Sequence, residues 1–211
     1  MTSLTTLLTL ADSRLPTGGH VHSGGVEEAV AGGLLTDLPT LRAYLVRRIR
    51  SHGLVAASVA AAVHDGTLTP ESADAETDAR TPSPAARDAS RAQGRGLVRL
   101  ARRVWPDGPW QALGTRPHLA VAAGAVGAVS GLDELQTALS VVYTTMTGSA
   151  TAAQRLLALD PGDVAAVTFE LAPVCDAVAE EATVRLADLS DPLLDVLAQR
   201  HAERDRPLFV S

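Results

Sequence analysis

The densest run of chemically capable side chains lies near the start of the chain, in Leu10-Ala-Asp-Ser-Arg-Leu-Pro-Thr-Gly-Gly-His-Val-His-Ser-Gly-Gly-Val-Glu-Glu28. Asp12, Ser13, His20, His22, Ser23 and Glu27 stand close together, and Pro16, Gly18, Gly19, Gly24 and Gly25 shape the turn that holds them. An acid, a hydroxyl and an imidazole are the parts of a nucleophilic triad, but triads converge from distant elements, and no strand-turn-helix elbow surrounds either serine. The simpler reading is structural: Asp12 and Ser13 bond backbone groups at helix ends, and Ser23 starts a helix carrying Glu27. His20 and His22 could offer two metal ligands on one face of an extended segment. A tight site would need more, from Glu27, Glu28, Cys175 or another subunit.

A second constellation is basic. Arg80, Arg87, Arg91, Arg95, Arg99, Arg102 and Arg103 face one acid, Asp88. Five of them recur every fourth residue, a slowly spiralling ridge if helical, interrupted at Gln93-Gly-Arg-Gly96. Such a ridge is either a solvated face or a surface for an acidic partner, where the planar guanidinium fork serves well. The third feature is the end of the chain, near 205–211. Pro207 stops a charged helix, and Leu208-Phe209-Val210 follows. This apolar tip either docks on another chain or folds onto its own core.

The elements that must position these groups are helical. The 211 residues contain 46% hydrophobic and 20% charged side chains, enough for one packed domain spanning 1–211. Ala is abundant, Ile occurs once, and no stretch alternates with period two, so an all-α bundle of about eight to ten helices is expected. Leu38, Leu41, Leu45 and Ile49 have helical spacing behind a Thr36 or Asp37 cap, with a kink at Gly53. Leu135, Leu139, Val142, Met146, Ala150, Ala153 and Leu157 predict a long central helix over 133–159 with a break at Gly148. Asp160-Pro161-Gly162 and Ser190-Asp191-Pro192 read as helix starts. The acidic, proline-containing stretch 65–84 reads as a surface connection, with one short helix after Thr69-Pro70.

Composition also excludes. Every one of the 18 basic residues is Arg, so no phosphate-loop or Schiff-base lysine exists. Net charge is −6 and aromatics are 3%, which argues against a nucleic-acid partner. The single Cys175 precludes an internal disulfide. The longest apolar run, Leu119–Val129, is too short to span a bilayer, and Met1-Thr-Ser-Leu carries no basic leader. A cytoplasmic protein without a membrane partner is expected.

These residues resemble a known family. Leu10-x-Asp12-Ser13-x-Leu15-Pro16-x-Gly18-x-x-x-His22-Ser23-x-Gly25-Val26-Glu27 is similar to the N-terminal signature of the urease accessory protein UreF family. Ala89-Ser90 with Gln93-Gly94-Arg95 and Leu97 is similar to its central segment, and Ala153-Gln-Arg155-Leu156-Leu157 to its Arg-Leu helix. Asp191-Pro192, Asp195, His201 and Leu208-Phe209-x-Ser211 are similar to its ending. Three departures stand out: His20 replaces a usual aromatic, Asp160-Pro161-Gly162 stands where a Gly-Gln pair is common, and Pro207 separates Arg206 from Leu208. The resemblance implies a homodimeric, all-α, non-enzymatic scaffold that binds UreD (also called UreH) and recruits the GTPase UreG. With them it would deliver nickel to apo-urease, with GTP hydrolysis and carbon dioxide uptake. Nickel and GTP would be handled by the partners, with no cofactor held firmly here. The expected partner-facing residues are Asp12, Ser13, Pro16, Gly18, His22, Ser23, Arg91, Arg95, Arg155, Arg206, Leu208 and Phe209, and the resemblance implies that UreD orders the tail, with Arg206, Leu208 and Phe209 mobile in the free protein. A metallochaperone holding nickel itself through His20 and His22 is the alternative.

Overall fold

The computed structural model describes residues 4–211, and Met1–Ser3 lie outside them. All regular structure among the described residues is helical: α1 (Leu4–Leu10), α2 (Val26–Ala31), α3 (Leu38–Arg48), α4 (Leu54–His64), α5 (Pro70–Ala79), α6 (Pro84–Val104), α7 (Leu119–Ser130), α8 (Glu134–Leu157), α9 (Pro161–Val184) and α10 (Pro192–Ala202). A single 3-10 turn, Gly19–Val21, lies in the N-terminal loop. The all-α expectation is met.

Helix starts follow their capping chemistry. Asp37 accepts from Thr40 N–H while the Thr40 hydroxyl accepts from Asp37 N–H, a reciprocal pair that satisfies two otherwise orphaned donors. Asp133 and Gln136 repeat this at α8, and Asp160 and Asp191 cap α9 and α10. Instead of kinking at Gly53, the chain runs from α3 into α4 through a π-helical segment, Ile49–Gly53, so one rod carries both.

The stretch 65–84 holds the expected helix after Thr69-Pro70, started by the Thr69 cap, but α5 spans ten residues and buries Ala73 and Thr77, so it belongs to the body and is not a surface piece. Helix α8 passes Gly148 without the expected break, because open space there asks nothing special of the backbone. Its buried face follows the expected stripe through Val142, Met146, Ala150 and Ala153, with Leu139 and Leu157 half-buried against the same core; Leu135 alone of the stripe is exposed.

The core has two lobes. Helices α2, α3, α4, α8 and α9 enclose Leu35, Leu41, Leu45, Ile49, Met146 and Leu171. Helices α4, α6 and α7 enclose Val59, Val98, Val121 and Val126, closed by Trp110 from the α6–α7 loop, whose indole N–H donates to Trp105 O at 2.6 Å. No helix among the described residues is long and apolar enough to cross a membrane.

Candidate functional site

Two glycines in the middle of α6 fix the N-terminal loop. Glycine in a helix interior costs about 1 kcal/mol relative to alanine, so a pair there needs a reason. A side chain at Gly96 would run into Thr17 O, and one at Gly94 into Pro117 O. The Gln93-Gly-Arg-Gly96 segment therefore does not interrupt the helix. It is where the N-terminal loop and the Pro117-His118 segment press against it.

The loop in turn holds the tail. Glu27, buried on α2, accepts from Leu208 N–H at 2.9 Å and Phe209 N–H at 3.0 Å, one carboxylate oxygen each. Val210 N–H donates to Val21 O at 2.7 Å, and Ser23 N–H donates to Ser211 O at 2.5 Å. His22 Nδ1 lies 2.5 Å from Ser211 Oγ. His201 Nε2 is 3.2 Å from Phe209 O, and Arg204 Nε donates to Glu28 at 2.7 Å. Phe209 is buried against the main core, and Arg155 places its guanidinium 5.2 Å from the ring centroid, a cation–π contact. The four sequence segments singled out above thus form one connected structure, from α6 through the loop to the tail and α8.

The tail corrects an expectation. Phe209 is folded onto its own body, because burying its ring and satisfying two backbone donors on Glu27 outweigh the entropy of ordering five residues. Its neighbours behave oppositely: Leu208 is 79% and Val210 70% exposed. The result is a tail held by backbone hydrogen bonds, with two apolar side chains exposed. Arg206 is exposed, with no acidic partner among the described residues.

The other expected residues divide. Asp12 accepts from Arg14 N–H at 2.8 Å and from its guanidinium, and these hydrogen bonds lower its carboxyl to about 2. Ser13 is exposed and makes no hydrogen bond to backbone, contrary to expectation, and no histidine approaches it. The triad reading has no geometry here. Pro16 is exposed and Gly18 takes a left-handed φ of 85°, which only glycine adopts readily. Ser23 is buried, and its hydroxyl accepts from Glu27 N–H at 3.4 Å, although Gly25 occupies the capping position of α2. His20 is exposed and His22 half-buried, with burial pushing the His22 imidazole down. The 3-10 turn between them replaces the expected extended segment. Cys175 lies in the core 3.6 Å from Met146 Sδ, its thiol pushed up to about 11 by burial, so it offers no thiolate to them.

The arginine ridge splits in two. Arg91 is only 18% exposed and pairs with Asp74 at 2.7 Å and Asp78 at 2.9 Å. Asp78 also meets buried His118 at 2.9 Å, while His118 N–H donates to Asp74 and its Nδ1 lies 3.0 Å from Ser90 Oγ. Burial works to raise the Asp78 carboxyl, but His118 and Arg91 hold it below its usual range. Among the described residues, Asp74, Asp78 and His118 form the one group of three metal-capable donors, yet both carboxylates are already paired with Arg91. That cluster is an internal clamp joining α5, α6 and the start of α7, so Arg91 is not a free surface cation. Sequence spacing missed it because Asp74 and Asp78 seemed to lie in a connection. Arg95, Arg99, Arg102 and Arg103 remain exposed, without an acidic partner among the described residues.

The sequence model of the UreF family matches residues 35–172. The chain is 78% identical over 211 residues to the urease accessory protein UreF of Mycobacterium sp. (strain JLS), covering all of both chains. It is 75% identical over 214 residues to the protein of that name from Mycolicibacterium vanbaalenii, and 70% identical over 211 residues to that of Mycobacterium tuberculosis (strain ATCC 25177 / H37Ra), again over the whole of each chain. A loop and a tail locked together through Glu27, on an all-helical body matched end to end by these relatives, place this chain in the urease accessory protein UreF family.

Proposed function

We propose that this protein serves urease maturation as a non-catalytic scaffold in the cytoplasm, binding UreD (UreH) and recruiting the GTPase UreG for nickel delivery to apo-urease. Family membership supports the role in urease maturation. The observation that carries the scaffold reading is the loop–tail platform: a rigid backbone arrangement that displays Leu208, Val210, Pro16 and His20 to solvent. Exposed apolar side chains on an ordered tail lose little entropy when a partner covers them. Arg206 and Arg155 stand beside this tail as charged contacts, and Arg95 and Arg99 offer a separate basic face for an acidic partner such as the GTPase. Lysine is absent from the sequence, so the GTP site belongs on the partner, and nickel travels as cargo of the assembly. The outer face of α9, with Phe169 81% and Val184 80% exposed, supports self-association as a homodimer.

The test is co-purification of the tagged chain with UreD and UreG expressed together. Recovery of a complex containing both is expected. Recovery of the chain alone, under conditions where UreD and UreG are soluble, would contradict the scaffold reading.

A further inference from the structure

The rod joining α3 to α4 places two arginines side by side, and they meet different fates. Arg47 forms a two-point pair with Asp191, with bonds of 2.7 and 2.6 Å. Asp191 also accepts from Ser51 Oγ at 3.1 Å and from Leu193 N–H at 3.1 Å, so its oxygens are committed. Arg48 has no carboxylate partner. The Tyr44 hydroxyl, which itself donates to Gly24 O at 2.7 Å, and the nearby Asp191 carboxylate both favour its charge, but Arg48 Nε is buried without any hydrogen-bond partner. The Arg48 guanidinium is therefore only partly compensated, and a bound anion would complete it.

The space for that anion is present. Arg48, Ser51, His52, Gly24 and Thr145 line a cavity of about 370 Å³ that runs between the N-terminal loop, the rod and α8. Gly24 is required here, since its φ is 66° and any side chain would strike the Arg48 guanidinium. His52 is one turn beyond Arg48. It lines the same cavity and is solvent-accessible, with protein crowded around its ring. Burial and the Arg48 charge hold its imidazole down at about 3, so it is neutral and can donate one hydrogen bond without adding charge.

We propose that Arg48, with Ser51 and His52 beside it, forms an internal binding site for one small oxyanion of the carboxylate or phosphate type. The planar fork of Arg48 suits two oxygens of such an anion. The same cavity is also lined by His22, Phe209 and Ser211 of the loop and tail, but the site rests on Arg48 and not on the outward side chains of that platform, so its failure would leave the scaffold reading untouched.

The experiment titrates the purified full chain with sodium acetate and, separately, sodium phosphate, at constant ionic strength set with sodium chloride. The readouts are calorimetric heat and the thermal midpoint. One saturable event per chain is expected, with a rise in midpoint beyond that given by chloride. Saturation by acetate alone marks a carboxylate site, and by phosphate alone a tetrahedral one. Arg48→Gln should weaken binding by roughly tenfold or more. If that variant does not fold, His52→Phe, which fills the cavity beside Arg48, should cancel the anion-specific rise. An absent heat and midpoint response in the native chain, or a response that survives both substitutions, would overturn the proposal.

Discussion

Glu27 Oε2 accepts a hydrogen bond from the backbone N–H of Phe209 at 3.0 Å, joining positions 182 residues apart. A second bond, from Leu208 N–H to Oε1, makes this carboxylate the sole side-chain acceptor for both amides. The N-terminal signature and the C-terminal ending are thus two halves of one local structure. A buried carboxylate with two backbone donors is strongly specified, because removing it strands both amides at once.

Glu27→Ala should therefore lower stability by about 2–4 kcal/mol. It should also release the tail, seen as faster amide hydrogen exchange at Leu208 and Phe209 with unchanged exchange in α8. Slow exchange at both amides in the variant would show that the tail is held by something other than Glu27.

The glycines of α6 and α8 make an opposite pair. Gly94→Ala and Gly96→Ala each place a methyl group against fixed backbone, so both should destabilise despite better helix propensity. Gly148→Ala meets open space in the middle of α8 and should stabilise by about 0.5–1 kcal/mol. Urea unfolding midpoints for the three variants decide this, and a stabilised Gly96→Ala would refute the close approach of Thr17.

Much of the fold is legible in the sequence, because caps and periodicity are local. Asp37, Asp133, Asp160 and Asp191 announce their helices, and an Ala-rich, Ile-poor composition announces the class. What was not legible depends on contacts between distant segments. The exposure of Leu135 depends on which neighbours reach the first turn of α8. Gly94 and Gly96 look like an interruption until Pro117 and Thr17 are seen against them. Arg91 looks like a surface cation until α5 brings Asp74 and Asp78 beneath it. Phe209 looks like a docking residue until Glu27, 182 positions away, is seen to receive its amide.

The split of the arginine ridge separates folding from binding. Arg91→Glu would place a third carboxylate beside Asp74 and Asp78, and should destabilise by about 3 kcal/mol or more. Arg95→Glu with Arg99→Glu changes two exposed, unpaired cations and should leave the unfolding midpoint within about 0.5 kcal/mol of the native value. The double variant should weaken association with UreG-containing complexes and flatten its salt dependence. Association unchanged across a salt titration would return that face to plain solvation.

Acid should destabilise the protein from near neutrality. The imidazoles of His118, His52 and His22 are all held below their ordinary value, chiefly by burial. As pH falls below about 6.5 the unfolded chain takes up protons there that the folded chain refuses, so stability declines. Asp78 adds to this lower down, since its depressed carboxyl contributes stability above the unfolded value and loses it as pH falls through the folded one. Urea midpoints should fall between pH 7 and pH 5, and fall less in His52→Gln. A flat profile would show that these rings protonate freely in the folded state.

In the proposed scaffold the tail is an ordered platform whose outward side chains, and not its buried ring, meet the partner. The affinity of the Leu208→Ala, Val210→Ala double variant for UreD, taken alongside its thermal midpoint, tests this. A midpoint close to native is expected, because both side chains are exposed, with binding weakened by roughly tenfold or more. Native affinity at a native midpoint would contradict it.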